Sequence, residues 1–591
     1  MGSALRALIG RLQELGPAGR LALNLIYAVA RLSGRRYFAG VFLDYDEWIR
    51  RQPCAPAGRG LAVTVVVPVY QPDMAQLEEA VASVLEQAYE PLELVLCDDG
   101  SGDNVRESLR QLAGRDARIK LVERSTNGGI AAATNSAIAA ASGDWVAFLD
   151  QDDRLAQGVL SACADAMSDD AVQLVYTDED KIDRRGRRHD PYFKPDFSRA
   201  LLYGRNYLNH LTLVRRSALT AVDGLAAGYD GAQDFELVLR VLDAFGPAAI
   251  RHVPVIGYHW RQGHASGSFS DRHREAAAAA GEQALKQHLR RLGGPSDVTL
   301  ETRPVGRRVH FDGSPDASDI TAIIPTRDRI DLVARAVDQL GDEISVIIVD
   351  NGSTEPASRE WLQHFARSGA RRRVVRDDTA FNFSRLVNLG AARAETSKLL
   401  ILNNDVHSAA PGWLAELAGW AGFDWAGCVG ARLDYPDGRL QHGGVLLGLD
   451  AGAGHFMRGA ADGAAGPFGH LQLVRGVSAV TAACLMIRKQ VFDEVGGFDE
   501  HDFPVTFSDV DFCLRVRAAG YENIWTPFAR LTHEEGSSRG RTEASAAHPE
   551  HLGALKNLKQ RWPSAMQRDP FSNPALDPRF EQMRLRRSVT D

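Results

Sequence analysis

This chain of 591 residues has few cysteines and few long apolar runs, and its positive charges do not outnumber its negative ones. Its six cysteines are scattered, with no Cys-x-x-Cys pair, which excludes a disulfide scaffold and a zinc ribbon and favours a reducing compartment, the cytoplasm. The formal net charge of −8 makes nucleic acid an unexpected partner. The longest apolar run near the start has about ten residues, whereas a membrane-spanning helix needs ~20.

The first forty residues are basic although the whole chain is acidic. They contain six arginines and one glutamate, with apolar residues between them at mixed helical spacing. This pattern is typical of an amphipathic helix that lies on an anionic membrane surface. A basic helix packed against its own domain is the alternative.

Four stretches of the chain recur in the same order. The matched pairs are VTVVVPVY from residue 63 with TAIIPTRD from 321, LELVLCDDGSGD from 92 with ISVIIVDNGSTE from 344, ASGDWVAFLDQDD from 141 with ETSKLLILNNDV from 395, and AQDFELVLRV from 232 with FSDVDFCLRV from 507. Pro68 and Pro325 are 257 residues apart, and Asp234 and Asp509 are 275 apart. We infer an internal duplication whose second copy has a longer stretch before its last landmark, with the Gly- and His-rich residues 432–470 as the candidate.

Each copy alternates strand-like and helix-like patterns. A β-branched run is followed by an amphipathic helix pattern and then by an apolar run ending in Asp-Asp-Gly or Asp-Asn-Gly. This alternation predicts βαβ units and a parallel sheet in an α/β, Rossmann-like fold, in which ligands bind beyond the carboxyl ends of the strands. No G-x-G-x-x-G or Walker pattern follows the first strand of either copy, which argues against a dinucleotide-binding or P-loop enzyme.

The duplication and the composition predict five segments. These are an N-terminal helical, basic extension (1–60), a first domain (61–292), an irregular Gly- and Pro-punctuated linker (293–318), a second domain (319–540) and a C-terminal extension wrapped on the second domain (541–591).

Acidic residues just past the predicted strands are candidate metal ligands. Asp150 and Asp152 stand at i and i+2 after an apolar strand, and Asp405 follows the matching strand of the second copy. Such carboxylates suit Mg²⁺ or Mn²⁺, which share oxygen ligands with a substrate diphosphate. His533, after another apolar run, is a candidate for the missing ligand of the second copy. The alternative for the acids is a loop cap or Asx-turn, and for His533 a packed histidine.

Other acids are candidates for binding and for proton transfer. Asp98, Asp99 and Asp350 follow strands and are suited to accept hydrogen bonds from a base or ribose, although a turn alone would explain them. Asp234 and Asp509 stand near the starts of helix-periodic segments. Either could serve as a general base toward an attacking hydroxyl, or simply cap its helix.

These motifs together resemble tandem family 2 glycosyltransferases of the GT-A fold, over about residues 60–540. In the first copy the resemblance lies in PVY, CDDGSGD, NGGIAAATNSAIAAASGDWVAFLDQDD and AQDFELVLR. In the second copy FNFSRLVNLG, ILNNDV, VGGFDEHDFPVTFSDVDFCLR and HEEGSSRG look like a bacterial subgroup that assembles O-antigen or other surface polysaccharides, often as rhamnosyltransferases. The resemblance implies two nucleotide-diphospho-sugar transferase domains in tandem.

The resemblance also implies a role for each candidate. The nucleoside would be held by Tyr70, Asp98 and Asp99 in the first copy and by Thr326 and Asp350 in the second. The Mn²⁺ or Mg²⁺ would be bound by Asp152, assisted by Asp150, and by Asp405 and His533. The bases would be Asp234 and Asp509, with Glu236 and Asp511 in support.

Several positions depart from the wider family. Gln233 and Ser508 stand where a glutamate usually precedes the base, Thr326-Arg327 replaces Val-Tyr, and Asn403 replaces the first acid. In the first copy both His259 and His264 are candidates for the closing ligand, and the sequence does not choose between them. Acceptor contacts are expected from loops after the metal motif, including residues 178–183 and the segment with His442 and His455.

We therefore predict an inverting glycosyltransferase with two active sites. It would use UDP-, dTDP- or GDP-linked sugars and a growing, lipid-linked bacterial glycan, in the cytoplasm or peripherally on the cytoplasmic face of the inner membrane. One alternative is a single catalytic domain beside a carbohydrate- or nucleotide-binding module. Another is a nucleotidyltransferase, which the lack of a Gly-rich, Lys-bearing phosphate loop opposes.

Overall fold

A computed structural model describes most of the chain. The described residues are 37–38, 41–42, 45–52, 58–262, 274–293, 295, 298–311, 316–408, 411–449, 452–534, 549–577 and 584–585. The basic segment expected to form a membrane-binding helix, and the candidate ligand His264, lie outside them. No helix within these residues is long and apolar enough to cross a bilayer.

The first half, residues 58–293, contains one mixed sheet with helices on both faces. Its strands, after the short β1 (Tyr37–Phe38) and β2 (Val41–Phe42), are β3 (Gly58–Val69), β4 (Tyr89–Asp98), β5 (Ile119–Glu123), β6 (Trp145–Phe148), β7 (Arg154–Leu155), β8 (Leu174–Ile182), β9 (Arg188–Tyr192), β10 (Thr212–Arg215) and β11 (Ile250–Arg261). Its helices, after α1 (Tyr45–Arg51), are α2 (Met74–Leu85), α3 (Asp103–Ala113), α4 (Ile130–Ala140), α5 (Val159–Ser168), α6 (Arg199–Gly204), α7 (Arg216–Ala221), α8 (Gln233–Phe245) and α9 (Arg274–Arg291). The strand order is β5-β4-β3-β6-β10-β8-β11-β7, with β9 beside β8.

The second half, residues 316–534, is built in the same way after a hairpin of β12 (Val298–Arg303) and β13 (Gly306–Phe311). Its strands are β14 (Ile320–Thr326), β15 (Ser345–Asp350), β16 (Arg372–Arg376), β17 (Lys398–Leu402), β18 (Val406–His407), β19 (Ala426–Asp434), β20 (Leu440–His442), β21 (Val445–Leu447), β22 (Ala453–His455), β23 (Arg475–Gly476), β24 (Cys484–Arg488) and β25 (Glu522–His533). Its helices are α10 (Ile330–Asp338), α11 (Pro356–Arg367), α12 (Phe383–Ala391), α13 (Trp413–Ala421), α14 (Lys489–Glu494) and α15 (Ser508–Ala518).

The two sheets have the same topology, as the duplication predicts. The second order is β16-β15-β14-β17-β24-β19-β25-β18, which matches the first strand for strand. The central strand β3 is parallel to β4 and β6, as β14 is to β15 and β17, and in each half the next strand is antiparallel. The extra residues of the second copy lie between β19 and β24, where they form β20 to β23.

The central strands are apolar because both sheet faces are covered. Residues 63–67 of β3 and all of β14 are buried. Helices α4 and α5 pack on β3, and α12 packs on β14. A strand enclosed on both faces has no solvent side, so it reads as a continuous apolar run rather than an alternating one.

The segment expected to be an irregular linker contains the β12–β13 hairpin. Arg303 pairs with Gly306, so Pro304 and Val305 form the turn between the strands. Pro304 and Gly306, two of the residues that suggested irregularity, therefore lie at this turn. Strand β13 packs against α6 of the first half and α13 of the second.

The C-terminal residues contact both halves rather than the second alone. Their elements are α16 (Pro549–Arg561), α17 (Pro563–Gln567), β26 (Leu576–Asp577) and β27 (Arg584–Leu585). Arg561 Nη1 and Trp562 Nε1 bind the buried Asp511 carboxylate at 3.1 and 2.9 Å, which fixes α16 to the second half. Residues 568–577 then run between the halves.

Candidate active sites

The predicted site residues of each copy collect at one edge of its sheet. Tyr70 follows β3, Asp98 ends β4 and Asp150 follows β6. These strands are adjacent and parallel, so their carboxyl ends meet. In the second half, Thr326 and Asp350 end the adjacent parallel strands β14 and β15. The structure thus brings the strand-end candidates of each copy together.

Asp98 and Asp350 are buried and make equivalent contacts. Each accepts a hydrogen bond from the backbone N–H three residues later, at 3.1 and 2.9 Å. Each also pairs with an arginine, Arg106 Nε at 3.0 Å for Asp98 and Arg376 Nη1 at 2.7 Å for Asp350. The two arginines come from different elements, α3 and β16, and no local pattern in the sequence identifies either.

The next residue differs between the copies. Asp99 accepts hydrogen bonds from Nε of Arg124 (2.7 Å) and from the backbone N–H groups of Gly128 (3.0 Å) and Gly129 (2.8 Å). Its counterpart Asn351 instead donates through Nδ2 to two backbone carbonyls of the loop after β16, both at 3.0 Å. A carboxylate organises N–H groups and an amide can organise carbonyls, so the adjoining loops take different forms.

An amide side chain links the first strand to the acidic loop in both halves. The Gln151 Oε1 atom accepts a hydrogen bond from the Tyr70 backbone N–H at 2.9 Å. In the second half, Asn404 Nδ2 donates to Thr326 Oγ1 at 3.0 Å. Tyr70 is 48% exposed, and the second copy has Arg327 at the matching position, so the exposed aromatic ring at this position belongs to the first site.

The acids of the first site lie close enough to influence one another. Burial and the carboxylates of Asp152 and Asp234 together raise the pKa of Asp150 to about 6, against the opposing charge of His210. Asp153, which the sequence analysis did not single out, is deeper: it accepts hydrogen bonds from Tyr258 and from a backbone N–H. The structure therefore brings Asp150 near both the other metal candidate and the candidate base.

Asp234 lies in the first turn of α8. Its Oδ2 atom accepts hydrogen bonds from Nδ2 of Asn206 (3.3 Å) and Nδ2 of Asn209, and its Oδ1 accepts one from its neighbour's backbone N–H. Burial raises its pKa, while His210 and Arg307 lower it. Such an environment holds a carboxylate ready to accept a proton.

His210 is a site residue that no motif or periodicity in the sequence indicates. Its Nδ1 and backbone N–H lie 3.1 and 2.7 Å from Glu179 Oε2, and its ring stacks on Tyr258 at 4.6 Å. Burial lowers the pKa of His210. The hydrogen bond to Glu179, its negative charge and the nearby acids outweigh this effect and raise the pKa of His210 to about 9. A cationic imidazole therefore lies among the acids of the first site. Strand pairing makes Ala483 its counterpart in the second half.

Asp405 and His533 meet in the second site. His533 Nδ1 donates to Gln441 Oε1 at 2.8 Å, which leaves Nε2 as the ring nitrogen that faces Asp405. That Nε2 is 3.2 Å from Asp405 Oδ1, a buried oxygen that has no hydrogen bond within the described part of the chain. A carboxylate oxygen and the nitrogen of a neutral imidazole that face each other in this way can share a cation, and both atoms suit Mn²⁺. The pair therefore fits a divalent ion.

Trp260, not His259, holds the position of His533 in the first half. In the second half, strand register pairs His533 with Val406 and Thr532 with His407. In the first half, it pairs His259 with Arg154. Because Asp152 matches Asp405, Arg154 matches His407. His259, the partner of Arg154, therefore corresponds to Thr532, the partner of His407. Its Nδ1 lies 2.5 Å from the buried Asp180. Because successive strand residues face opposite sides, His259 faces away from the side of Trp260.

Asp509 repeats the placement of Asp234. It lies in the first turn of α15 and accepts hydrogen bonds from the backbone N–H groups of Ala482 (3.1 Å) and Val510 (2.9 Å). Burial raises its pKa, and a hydrogen bond from the Thr481 side chain lowers it. In both halves, the segment before the antiparallel strand thus contacts the candidate base.

Glu236 and Asp511 make matching internal contacts. Arg240 Nε binds Glu236 at 2.6 Å, and Arg515 Nε binds Asp511 at 2.8 Å, in both cases one helical turn later. These arginines also bond to backbone carbonyls of the preceding loops. The two acids are therefore placed to support the helices that carry the candidate bases.

The acceptor-side candidates have different placements. Residues 178–183 were expected to form a loop, but most of them belong to β8, and Asp178 and Asp180 are buried in ion pairs. In the second half, His442 and His455 approach each other with 2.7 Å between their Nδ1 atoms, and His442 Nε2 accepts the Thr481 N–H. The inserted segment therefore reaches the region of Asp509.

Across the described part of the chain, no three His, Cys, Asp or Glu side chains group as a ready metal site.

Comparison with known proteins identifies the family. The profile described as Glycosyl transferase family 2 matches residues 64–222 and 321–496, more than half of the chain. The y4gI protein of Sinorhizobium fredii is 40% identical over 90% of this chain and 61% of its own length. The O-antigen biosynthesis protein RfbC of Myxococcus xanthus is 36% identical over 93% of this chain and 44% of its own length. The chain thus spans less than two thirds of either relative.

Among solved structures, that of TarS residues 1–349 from Staphylococcus aureus is 19% identical to this chain. It aligns with a TM-score of 0.30 over 39% of this chain and 71% of its own. The two matched regions of the family profile correspond to the two halves with identical strand order. The chain belongs to glycosyl transferase family 2, with two α/β units of the GT-A type in tandem.

Proposed function

We propose that the protein is an inverting glycosyltransferase with two active sites, one in each half. The observation that carries this proposal is the repeated placement of a partly buried aspartate, Asp234 or Asp509, in a first helical turn and against the segment that precedes the antiparallel strand. In each half, burial raises the pKa of that aspartate. A carboxylate with a raised pKa is a stronger base than an ordinary one.

The reaction would use each half in the same way. Asp234 or Asp509 accepts the proton of an acceptor hydroxyl as its oxygen forms a bond to the anomeric carbon of the donor sugar. The bond from that carbon to the diphosphate breaks on the opposite face, so the configuration inverts. A bound Mn²⁺ or Mg²⁺ would supply positive charge to the departing diphosphate.

The sheet edges would hold the donor. Asp405 and His533 would hold the ion in the second half, and Asp150 and Asp152 in the first. The nucleoside would contact Tyr70 together with Asp98 in the first half, and Thr326 with Asp350 in the second. Asp99 would act mainly by ordering its loop, because that loop engages both of its oxygens.

The product would be a bacterial surface polysaccharide. The similarity to an O-antigen biosynthesis protein over 93% of this chain supports this substrate class. Donors would be UDP-, dTDP- or GDP-linked sugars, rhamnose among them, and the acceptor a lipid-linked glycan. The site of action would be the cytoplasmic face of the inner membrane.

Differences between the halves favour one alternative, in which a single half is catalytic. The first site has His210, Trp260 and Asp99 where the second has Ala483, His533 and Asn351. These exchanges alter charge and metal-ligating capacity. In this alternative, the half without turnover binds a nucleotide or the glycan chain.

Release of nucleotide from a panel of activated sugars with Mn²⁺ tests the proposal. Wild type, Asp234→Asn, Asp509→Asn and the double variant are compared, with Glu275→Gln as a control because Glu275 is an exposed first-turn acid of α9. We expect each single variant to lose the turnover of one half and the double variant to lose all of it. Full turnover in the double variant would refute both base assignments, and loss with only one substitution would favour the single-site alternative.

A further inference from the structure

The residues 568–577, which we call the C-terminal strap, fasten to the second half through buried groups. The Asp569 Oδ2 atom accepts a hydrogen bond from the backbone N–H of Leu447 in β21 at 2.7 Å. Phe571 is buried, and the Arg517 guanidinium lies 5.1 Å from its ring centre. One end of the strap is therefore fixed to the segment inserted in the second copy.

The strap also fastens to the first half. Asn573 is 3% exposed, and its Nδ2 donates to Asp178 Oδ2 at 2.7 Å and to the Lys194 carbonyl at 2.9 Å. Arg568 pairs with Asp196 at 2.7 Å, and the Asp196 N–H donates to a strap carbonyl at 2.8 Å. An amide donor that satisfies two buried acceptors is costly to remove.

Lys194 connects this contact with the first site. Its ammonium is fully buried and donates to the backbone carbonyls of Asn209 (2.9 Å) and His210 (2.8 Å). Asn209 in turn donates through its side chain to the candidate base Asp234. A short series of hydrogen bonds thus runs from Asn573 through Lys194 to the loop that orients Asp234.

We propose that Asn573 is a positioning residue of the first active site, and that this site is ordered only when the C-terminal strap is docked. Asn573 touches neither site directly and acts through Lys194 on residues 206–210. A test of this proposal by turnover rests on the proposed function, whereas a test by hydrogen exchange does not.

Hydrogen exchange in the full chain tests this without a substrate. In Asn573→Ala we expect amides in residues 206–212 to exchange about tenfold faster, because the buried acceptors around Lys194 lose their donor. The equivalent residues 479–485 should be unchanged. Asn573→Asp should give a larger effect, since its carboxylate would face Asp178. Ser572→Ala is the matched control, a neighbouring strap residue outside these hydrogen bonds.

Turnover provides the second readout. In the Asp509→Asn background, where only the first site operates, Asn573→Ala should lower kcat about tenfold. In the Asp234→Asn background, its effect should stay within about twofold. Unchanged exchange at 206–212, or an equal rise at 479–485, would overturn the proposal, because Asn573 would then have no effect or support the whole fold. If exchange changes as expected but the wild type shows no turnover, the result would count against the proposed function alone.

Discussion

Arg307 and Arg308 are consecutive in β13, yet their guanidinium groups lie in different halves of the protein. Arg307 stacks on Phe235 of the first half at 4.7 Å from the ring centre. Arg308 Nη2 binds Glu416 of the second half at 3.2 Å. Because side chains alternate between the two faces of a strand, one short hairpin places a cation on each side. The linker hairpin is thereby a structural part of both halves.

Replacing Arg308 should destabilise the second half. Glu416 is buried and would keep only its hydrogen bonds from Trp420 and Thr526. We expect Arg308→Ala to lower the free energy of unfolding by about 2–3 kcal/mol in urea titrations. Arg308→Lys should recover part of this loss. A change below about 0.5 kcal/mol would show that the pair contributes little.

Replacing Arg307 should change the pH dependence of the first site. Its charge lowers the pKa of Asp234, which burial raises. In Arg307→Gln that pKa rises, so the base becomes protonated at higher pH. We expect the acidic limb of the rate profile, measured in the Asp509→Asn background, to move to higher pH. The adjacent Arg308→Gln is the control and should leave the limb in place.

Asp150 should make the protein less stable as pH rises. Its folded-state pKa of about 6 exceeds the ordinary value of 3.8, so the folded state binds the proton more tightly than the unfolded state. Stability from this group is therefore complete below pH 4 and is lost between about pH 4 and 6. Asp150→Asn should raise the free energy of unfolding by about 2–3 kcal/mol at pH 8 and little at pH 4. Equal effects at both pH values would contradict the assignment.

Gln441 should control metal affinity at the second site. Its contact with His533 fixes the tautomer that points Nε2 toward Asp405. We expect Gln441→Leu to weaken Mn²⁺ binding about 10–100-fold in titrations followed by electron paramagnetic resonance. Gln441→Glu keeps an acceptor for Nδ1–H and should bind Mn²⁺ at least as well as the leucine variant. Identical affinity in the wild type and Gln441→Leu would argue against this role.

Glu522 should hold the two halves together. This partly buried residue of β25 accepts hydrogen bonds from Ser198 Oγ (2.6 Å) and the backbone N–H of Arg199 (2.9 Å), at the start of α6 in the first half. We expect Glu522→Ala to cost about 1–2 kcal/mol of stability, as the loss of a helix cap does. Glu522→Gln retains an acceptor oxygen and should cost less. Thermal unfolding of the three proteins in parallel would measure the difference.

Much of the architecture could be predicted because its signals are local. The α/β class, the tandem arrangement and the family are confirmed, since strand-length apolar runs, helix periodicity and repeated motifs are readable in short windows. The extra length of the second copy was also placed correctly, between β19 and β24. The linker hairpin is not predicted, because Gly and Pro are as typical of irregular chain as of a turn between strands.

The sequence by itself determined which acids end strands and which begin helices, because those positions follow from short-range periodicity. Only the tertiary structure decided what stands beside them. His210 joins the first site through loop packing, Trp260 takes the place of His533 through strand register, and Asn573 reaches Lys194 across nearly four hundred positions of chain. Such contacts depend on how distant segments fold back on one another, and a linear pattern carries no record of that geometry.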